Sequence, residues 1–114
     1  MPLYMAEFGY RPETWAGLVQ SPENREQKVR AMLESAGAKL HNIWYAFGEQ
    51  DGFALIEAPD NVSAAGISIA IASSGAFRSF KTTVLMTQDE TLRALEKAGA
   101  VQYEAPPIRE PVHA

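Results

Sequence analysis

Few side chains in this chain could carry out acid–base chemistry, and two of them are candidates for it. Glu57 lies near the end of an otherwise apolar stretch, where burial would raise its pKa and suit it to proton transfer. His41 is the one histidine within the predicted fold and is the second candidate base. The structural alternatives are a strand-end carboxylate that reaches solvent or pairs with Lys81 or Arg78, and a hydrogen-bonded surface histidine.

Aromatic and polar residues near Glu57 form a candidate ligand-binding set. Trp44 and Phe53 could line a pocket for a small apolar or aromatic ligand. Asn42 and Glu57 share the predicted strand face of Trp44, and Lys81 could meet an anionic group in an enclosed space. The alternatives are a dimer core built from the two aromatics and an ordinary cross-strand ion pair of Lys81.

Residue content argues against several other kinds of site. The chain has no cysteine, which excludes disulfides, thiolate catalysis and cysteine-bound zinc. Its two histidines are far apart and no tight carboxylate cluster accompanies them, so we predict no metal site. There is no glycine-rich phosphate loop, Ser-His-Asp set or zinc-protease motif, and we predict no bound cofactor.

Length and charge narrow the class of protein. A chain of 114 residues that is 46% hydrophobic is expected to form one domain, here residues 1–100, followed by a proline-rich tail, residues 101–114. The net charge of −4 and the dispersed lysines and arginines argue against nucleic-acid binding. No segment has the roughly 18 uninterrupted apolar residues of a membrane span or the pattern of a signal peptide. We therefore predict a cytoplasmic protein.

Periodicity and capping residues predict the elements that must position these side chains. Leu3 to Tyr10 is the first strand, and Arg11 to Gln20 is a connection with a turn of helix. Ser21 and Pro22 are typical of a helix start, and Gly37 of a helix end. The apolar stripe of this helix has members spaced at i, i+3, i+4 and i+7: Val29, Met32, Leu33 and Ala36.

A hairpin follows, with strands at Lys39 to Phe47 and Gly52 to Ala58. We interpret Gly48 and Asp51 as structural turn residues, the glycine for unusual dihedral angles and the aspartate for bonds to nearby backbone N–H groups. The register that sets Phe47 opposite Gly52 also pairs, on one face, Trp44 with Leu55 and Asn42 with Glu57.

The segment Val62 to Ser74 is ambiguous because its isoleucines alternate as in a strand. We favour a helix because Asp60 or Asn61 can cap it, alanine is frequent, and Gly75 can end it. A fourth strand, Ala76 to Met86, follows, rich in β-branched residues. Thr87 with Glu90 then forms a capping box for a last helix.

The predicted order is β-α-β-β-α-β plus a C-terminal helix. This is the α+β ferredoxin-like arrangement, with two helices on one face of a four-stranded antiparallel sheet. Trp44, Phe53 and Leu55 make the other face apolar as well. We expect a second copy of the chain to cover that face in a homodimer or a larger homo-oligomer.

Four short motifs carry a family resemblance: Gly48-Glu49-Gln50-Asp51, Glu57-Ala58-Pro59-Asp60, Gly75, and Lys81-Thr82-Thr83-Val84. With them, the chain resembles the GYD-domain family over roughly Leu3 to Leu92. The resemblance implies a small bacterial ferredoxin-like protein of the dimeric α/β-barrel type. The family motif Gly-x-Tyr-Asp has tyrosine where this chain has Gln50, so any chemistry of that tyrosine is absent here.

Three functions follow from these expectations. The first is a small-molecule-binding or accessory homodimer with a pocket between sheet and helices or between subunits. The second is a cofactor-poor enzyme, an oxygenase or isomerase, as in other dimeric α/β-barrel proteins. The third is an oligomeric signalling or structural module that uses the sheet only for assembly. Only the similarity of fold supports the second function, an enzyme, and a fold does not determine a function.

Overall fold

The computed structural model describes residues 1–111. Its four strands and four helices are, in chain order, β1 (Leu3–Tyr10), α1 (Pro12–Gln20), α2 (Arg25–Ser35), β2 (Lys39–Tyr45), β3 (Gly52–Glu57), α3 (Asn61–Ala72), β4 (Phe77–Leu85) and α4 (Gln88–Ala100). Residues 101–111 form no helix or strand, and His113 lies outside the described residues.

The strands form one antiparallel sheet in the order β2-β3-β1-β4. Together with the two crossover helices α2 and α3, this order is the ferredoxin-like split βαβ arrangement. The predicted α+β fold class is confirmed, including the C-terminal helix.

The core lies between one face of the sheet and the helices α2 and α3. Three members of the predicted α2 stripe are confirmed, because Leu33 is fully buried and Val29 and Met32 pack against the core. The fourth, Ala36, is exposed and follows the last residue of the helix. α3 contributes Ala64 and Ile67 to the same core. The strand residues that meet these helices alternate along each strand, as a half-buried sheet requires: Tyr4, Ala6, Leu40, Ala54 and Ile56.

The predicted helix ends are largely confirmed. Gly37 and Gly75 adopt left-handed φ angles of +74° and +84°, the conformation that glycine tolerates best. The Asp60 side chain accepts a hydrogen bond from the Ser63 backbone N–H at 2.8 Å and so caps α3. Thr87 and Glu90 form the expected capping box of α4.

Two helix predictions were wrong in detail. Residues 12–20 form a helix of nine residues rather than a connection with one turn, and Pro12 occupies its first position. α2 begins at Arg25, and its cap is Asn24, whose side chain accepts from the Glu26 N–H at 3.0 Å. Ser21 instead ends α1, where its backbone N–H donates to the Gly17 carbonyl.

The predicted register of β2 and β3 was wrong by two residues. Tyr45, not Phe47, lies opposite Gly52, because the loop closes earlier, with the Ala46 N–H donating to the Asp51 carbonyl at 2.8 Å. A shift of two residues keeps Asn42 and Trp44 on their predicted face, whereas Leu40, beyond a bulge, lies on the core face opposite Ile56. A bulge between Leu40 and Asn42 leaves His41 without a partner in the ladder.

α4 projects from the rest of the molecule. Its residues are all at least partly exposed, and it packs closely on no other element within residues 1–111. The described chain is 59 Å long with a radius of gyration of 19.2 Å, against about 13 Å for a compact domain of this length. Residues 88–111 therefore form a C-terminal arm.

Candidate functional site

The predicted ligand-binding residues all lie on the sheet face opposite α2 and α3, here called the open face. The register aligns Trp44, Phe53, Glu7 and Lys81 in one row across the four strands. Asn42 lies in the next row, opposite Leu55. Glu57 lies in the row after that, opposite Leu3. The apolar side chains of this face are Leu3, Met5, Trp44, Phe53, Leu55 and Leu85.

Lys81 does not reach Glu57. Its ammonium group lies 3.9 Å from the Glu7 carboxylate, which belongs to the neighbouring strand, and its side chain is largely exposed. An exposed pair at this distance contributes little to stability.

The bulge in β2 brings His41 and Glu57 together. The His41 Nε2 atom lies 2.7 Å from the Glu57 Oε1 atom, within hydrogen-bond distance. In a regular strand His41 and Asn42 would point to opposite faces, but a bulge re-aims one side chain. Both candidate bases therefore meet at the margin of the open face, where the Glu57 carboxylate can orient the His41 ring.

The expected raised pKa of Glu57 was wrong. The hydrogen bond with His41 lowers the pKa of the Glu57 carboxyl below its usual 4.5, and this effect outweighs desolvation. The group is exposed enough for solvent to stabilise its charge. Glu57 is thus a carboxylate near neutral pH and is suited to orient His41 rather than to donate a proton.

We expect Glu57→Gln to alter acid unfolding. Because the folded state lowers the pKa of Glu57, its contribution to stability is present above pH 4.5 and is lost as the pH falls through the folded value. The difference in Tm between wild type and Glu57→Gln should therefore be fully present just above pH 4.5 and shrink as the pH falls below it. Thermal unfolding from pH 7 to 3 measures it, with exposed Glu34→Gln as the control. A Tm difference that does not change with pH would contradict a stabilising hydrogen bond between His41 and Glu57.

The loop between β2 and β3 is tied to the sheet through Asp51. The Asp51 Oδ2 atom accepts hydrogen bonds from the Tyr10 backbone N–H at 2.8 Å and from the Trp15 indole N–H at 3.2 Å. The Arg78 guanidinium lies 3.5 Å from the same carboxylate. Gly48, in contrast, has no positive φ and has open space around its Cα, so the expected need for unusual dihedral angles there was wrong.

A cavity of about 260 Å³ lies between the sheet and the two crossover helices. We call it the helix-side cavity. Its floor includes the small residues Ala6 and Ala54, which lie opposite each other on β1 and β3. Its other apolar lining residues are Phe8, Val29, Met32, Leu33, Ile43, Ile56, Ile67, Ala70, Ile71, Phe77 and Phe80.

Polar groups and aromatic rings meet at one end of this cavity. The hydroxyl groups of Tyr10 and Tyr45 are 3.2 Å apart, and Arg25 lines the cavity beside Tyr10. The Trp15 ring packs edge-on against Tyr10 at a centroid distance of 5.0 Å. Burial, and then the hydrogen bond with Tyr45, raise the pKa of the Tyr10 phenol far above its usual 10. Tyr10 is therefore a neutral phenol at any physiological pH.

This second site is not evident from the sequence. Tyr10 and Tyr45 were assigned only to strands, and Arg25 lay inside a predicted helix. Alternation does place Tyr45 on the face of Ala54, but nothing local links it to Tyr10, which is 35 residues away. The signal that could have been used is the small pair Ala6 and Ala54 on the core face of two central strands.

Other kinds of site find no support in the described part of the chain. Residues 1–111 contain no group of three His, Asp or Glu side chains arranged to hold a metal ion. No helix among them is both long and apolar enough to cross a membrane.

The fold is similar to that of several solved structures. No protein with a curated description matches the chain significantly. The crystal structure of MtbAldR is similar with a TM-score of 0.59 at 11% identity, over 76% of this chain and 54% of that one. This chain thus spans about half the length of MtbAldR. FFRP-DM1 is similar with a TM-score of 0.50 at 12% identity, over 75% of this chain and 100% of that one. At such identities the likeness concerns the fold alone.

One protein family matches most of the sequence. The match is to the GYD domain and covers residues 4–95, which begins in β1 and ends within α4. The matched region includes all of the sheet except Leu3, both crossover helices and the loop that carries Asp51. The chain therefore belongs to the GYD-domain family.

Proposed function

We propose that this protein binds a small, largely apolar molecule in the helix-side cavity, as a ligand-binding or accessory protein. The observation that carries the proposal is the cavity itself, about 260 Å³ lined mainly by apolar side chains. An engineered apolar cavity of about 150 Å³ is large enough to hold benzene. A cavity of this size can therefore accept a substituted ring or a short aliphatic chain.

The space opens to solvent between the sheet and the helices, and small residues on the sheet make room for it. Here two alanines lie side by side on the floor of the cavity, where larger residues would fill it. Tyr10 and Arg25 lie at one end, and Ser68 and Thr82 are the polar lining residues at the other. An apolar pocket with a few convergent polar groups is typical of a small-molecule site.

The chain has two tryptophans, and they allow a direct test. Trp15 packs against Tyr10 at one end of the cavity, here called the tyrosine end. Trp44 lies on the open face. Titration with the neutral probe 3-phenylpropanamide should shift the NMR signal of the Trp15 indole N–H and leave that of Trp44 unchanged. A Kd in the millimolar range or tighter is expected for a probe of this size.

Ala54→Leu should abolish this binding without unfolding the protein. The larger side chain would occupy the cavity floor, and filling a cavity commonly stabilises by about 0.5–2 kcal/mol. Thermal unfolding and the same titration measure both effects. Ala31→Leu, at an exposed position of α2, is the matched control and should bind normally. Unchanged binding in Ala54→Leu would contradict the proposed location, and a wild-type protein that binds no apolar probe would favour the pure assembly module.

The proposed assembly is a homodimer. Two unpartnered apolar surfaces of one chain support it: the open face, where Trp44 is 49% exposed, and the C-terminal arm, where Leu92 and Leu95 are more exposed still. Leu92 and Leu95 are spaced i, i+3 and lie on one side of α4. An amphipathic helix that packs closely on no other element of residues 1–111 gains stability by burying that stripe on another copy.

Leu92→Ser with Leu95→Ser should weaken self-association. Burying each leucine stabilises by about 1.5–3 kcal/mol, so the double change should raise the dimer Kd on the order of a hundredfold or more. Light scattering over a concentration series measures the change in mass. Arg93→Ser with Lys97→Ser, on the other side of α4, is the control and should remain dimeric. A wild-type monomer at all concentrations would contradict the homodimer.

A second candidate function is a cofactor-poor enzyme at the open face. The observation that favours it is the 2.7 Å contact between His41 Nε2 and Glu57 Oε1, because a carboxylate that orients a histidine is a common arrangement for general-base catalysis. The same titration separates the two candidates. A probe that shifts the Trp44 signal and leaves Trp15 unchanged would favour the open face.

A further inference from the structure

Two hydroxyl groups that line the helix-side cavity, those of Ser68 and Thr82, already use their protons in hydrogen bonds within the protein. The Ser68 hydroxyl donates to the Ala64 carbonyl at 2.9 Å, so the Thr82 hydroxyl, 2.7 Å away, is left to donate to Ser68. Neither hydroxyl proton is free for a ligand. The polar recognition of a bound molecule must therefore occur at the other end, beside the tyrosines.

The tyrosine end offers donors in excess of acceptors. Tyr10 and Tyr45 share one hydrogen bond, which uses one of their two hydroxyl protons and leaves the other available. Burial, together with the bond to Tyr45, raises the pKa of Tyr10, so Tyr10 stays a neutral phenol in the physiological range.

Arg25 adds a positive charge at the same place. Its guanidinium lies close enough to Tyr10 to influence the ionisation of that phenol. Glu23 accepts a hydrogen bond from Arg25 Nη1 at 3.0 Å and also pairs with Lys28. One carboxylate thus faces two cations, which leaves a net charge of +1 in this group. Arginine has five N–H donors, so those that do not contact Glu23 can bind another acceptor.

The remaining charged groups near the tyrosine end do not oppose an anion. Asp51, which bonds the Tyr10 backbone and Trp15, is paired with Arg78 at 3.5 Å. No aspartate or glutamate lines the helix-side cavity among the described residues. The local field at the cavity end is therefore positive.

We infer that the ligand of the helix-side cavity is an organic carboxylate, with its apolar body in the cavity and its carboxylate at the end lined by Arg25 and Tyr10. The inference rests on the proposed function, because it assigns the ligand class for the same cavity. A planar guanidinium matches the geometry of a carboxylate, and a hydrogen bond between charged groups is stronger than one between neutral groups. An aromatic or branched aliphatic acid of modest size fits the 260 Å³ available.

The test compares 3-phenylpropanoate with 3-phenylpropanamide, which share a carbon skeleton and differ in charge. Calorimetric titration of the full chain at pH 7 should show the acid binding at least tenfold more tightly, as a charge-assisted hydrogen bond predicts. Arg25→Gln should remove most of this preference and leave the affinity for the amide nearly unchanged. Arg93→Gln, which makes the same change in charge on exposed α4, should retain the preference.

Each other outcome has a distinct meaning. Equal binding of acid and amide, or tighter binding of the amide, would overturn the ligand class while the proposed function stands. A preference that persists in Arg25→Gln would overturn the role of Arg25 and with it the inference. If neither compound binds, both the inference and the proposed function fail. Ala54→Leu should bind neither compound, and thermal unfolding of each variant verifies that it is folded.

Discussion

Asp51→Ala is expected to destabilise the protein by about 2–4 kcal/mol, because each polar group left without a partner costs about 1–3 kcal/mol. The Asp51 carboxylate has three partners on three different elements: the Tyr10 backbone on β1, the Trp15 indole on α1 and Arg78 on β4. Its side chain is only 17% exposed, so water replaces these bonds incompletely. The loss should also loosen the tyrosine end of the helix-side cavity.

Chemical unfolding with urea measures the expected loss. A change of this size corresponds to a fall in Tm of roughly 10–25 °C for a domain of this length. Asp51→Asn keeps acceptor capacity and the shape of the side chain but loses the charge, and it should fall between wild type and Asp51→Ala. Asp89→Ala, in the exposed first turn of α4, is the matched control and should cost well under half as much. A loss below about 0.5 kcal/mol in Asp51→Ala would show that its bonds do not hold the loop.

Gly52→Ala is expected to destabilise by about 1–3 kcal/mol through overpacking. A Cβ added at Gly52 would lie 2.7 Å from Phe8 Cε2 and closer still to Cζ. The Phe8 ring cannot easily move, because it is buried and packs against Tyr10, Tyr45 and Phe77 at centroid distances of 5.4, 6.0 and 5.8 Å. The close approach of backbone to ring is what glycine permits at this strand start.

A double-mutant cycle isolates this contact. Phe8→Leu removes the ring atoms that meet the new methyl group, so Gly52→Ala should cost at least about 1 kcal/mol less in the Phe8→Leu background. Gly66→Ala is the matched control, since Gly66 lies inside α3 with open space around it, and it should stabilise by about 0.5–1 kcal/mol. Equal costs of Gly52→Ala in both backgrounds would contradict the steric explanation.

The two sites differ in how far the sequence could predict them. Alternation placed Trp44, Phe53, Asn42 and Glu57 on one face of the sheet, and this grouping survives the wrong register because the error there was an even number of residues. Their role in binding stays a prediction. The helix-side cavity was not located, because a cavity is the gap left after distant side chains pack, and no short segment of sequence encodes it.

The sequence by itself determined the order and type of most elements and the faces of the strands. Gly37, Gly75, Asp60 and Thr87 end or begin helices through contacts within four residues, so these positions can be recognised without the rest of the chain. The GYD-domain resemblance has the same basis, in short motifs along the chain.

Only the tertiary structure decided where the candidate chemistry lies. The bulge that joins His41 to Glu57, the three bonds of Asp51 and the hydroxyl pair of Tyr10 and Tyr45 each connect residues more than 15 positions apart. Such contacts depend on the register of neighbouring strands and on how the helices pack over the sheet. A shift in strand pairing changes them all, while every local capping signal stays the same.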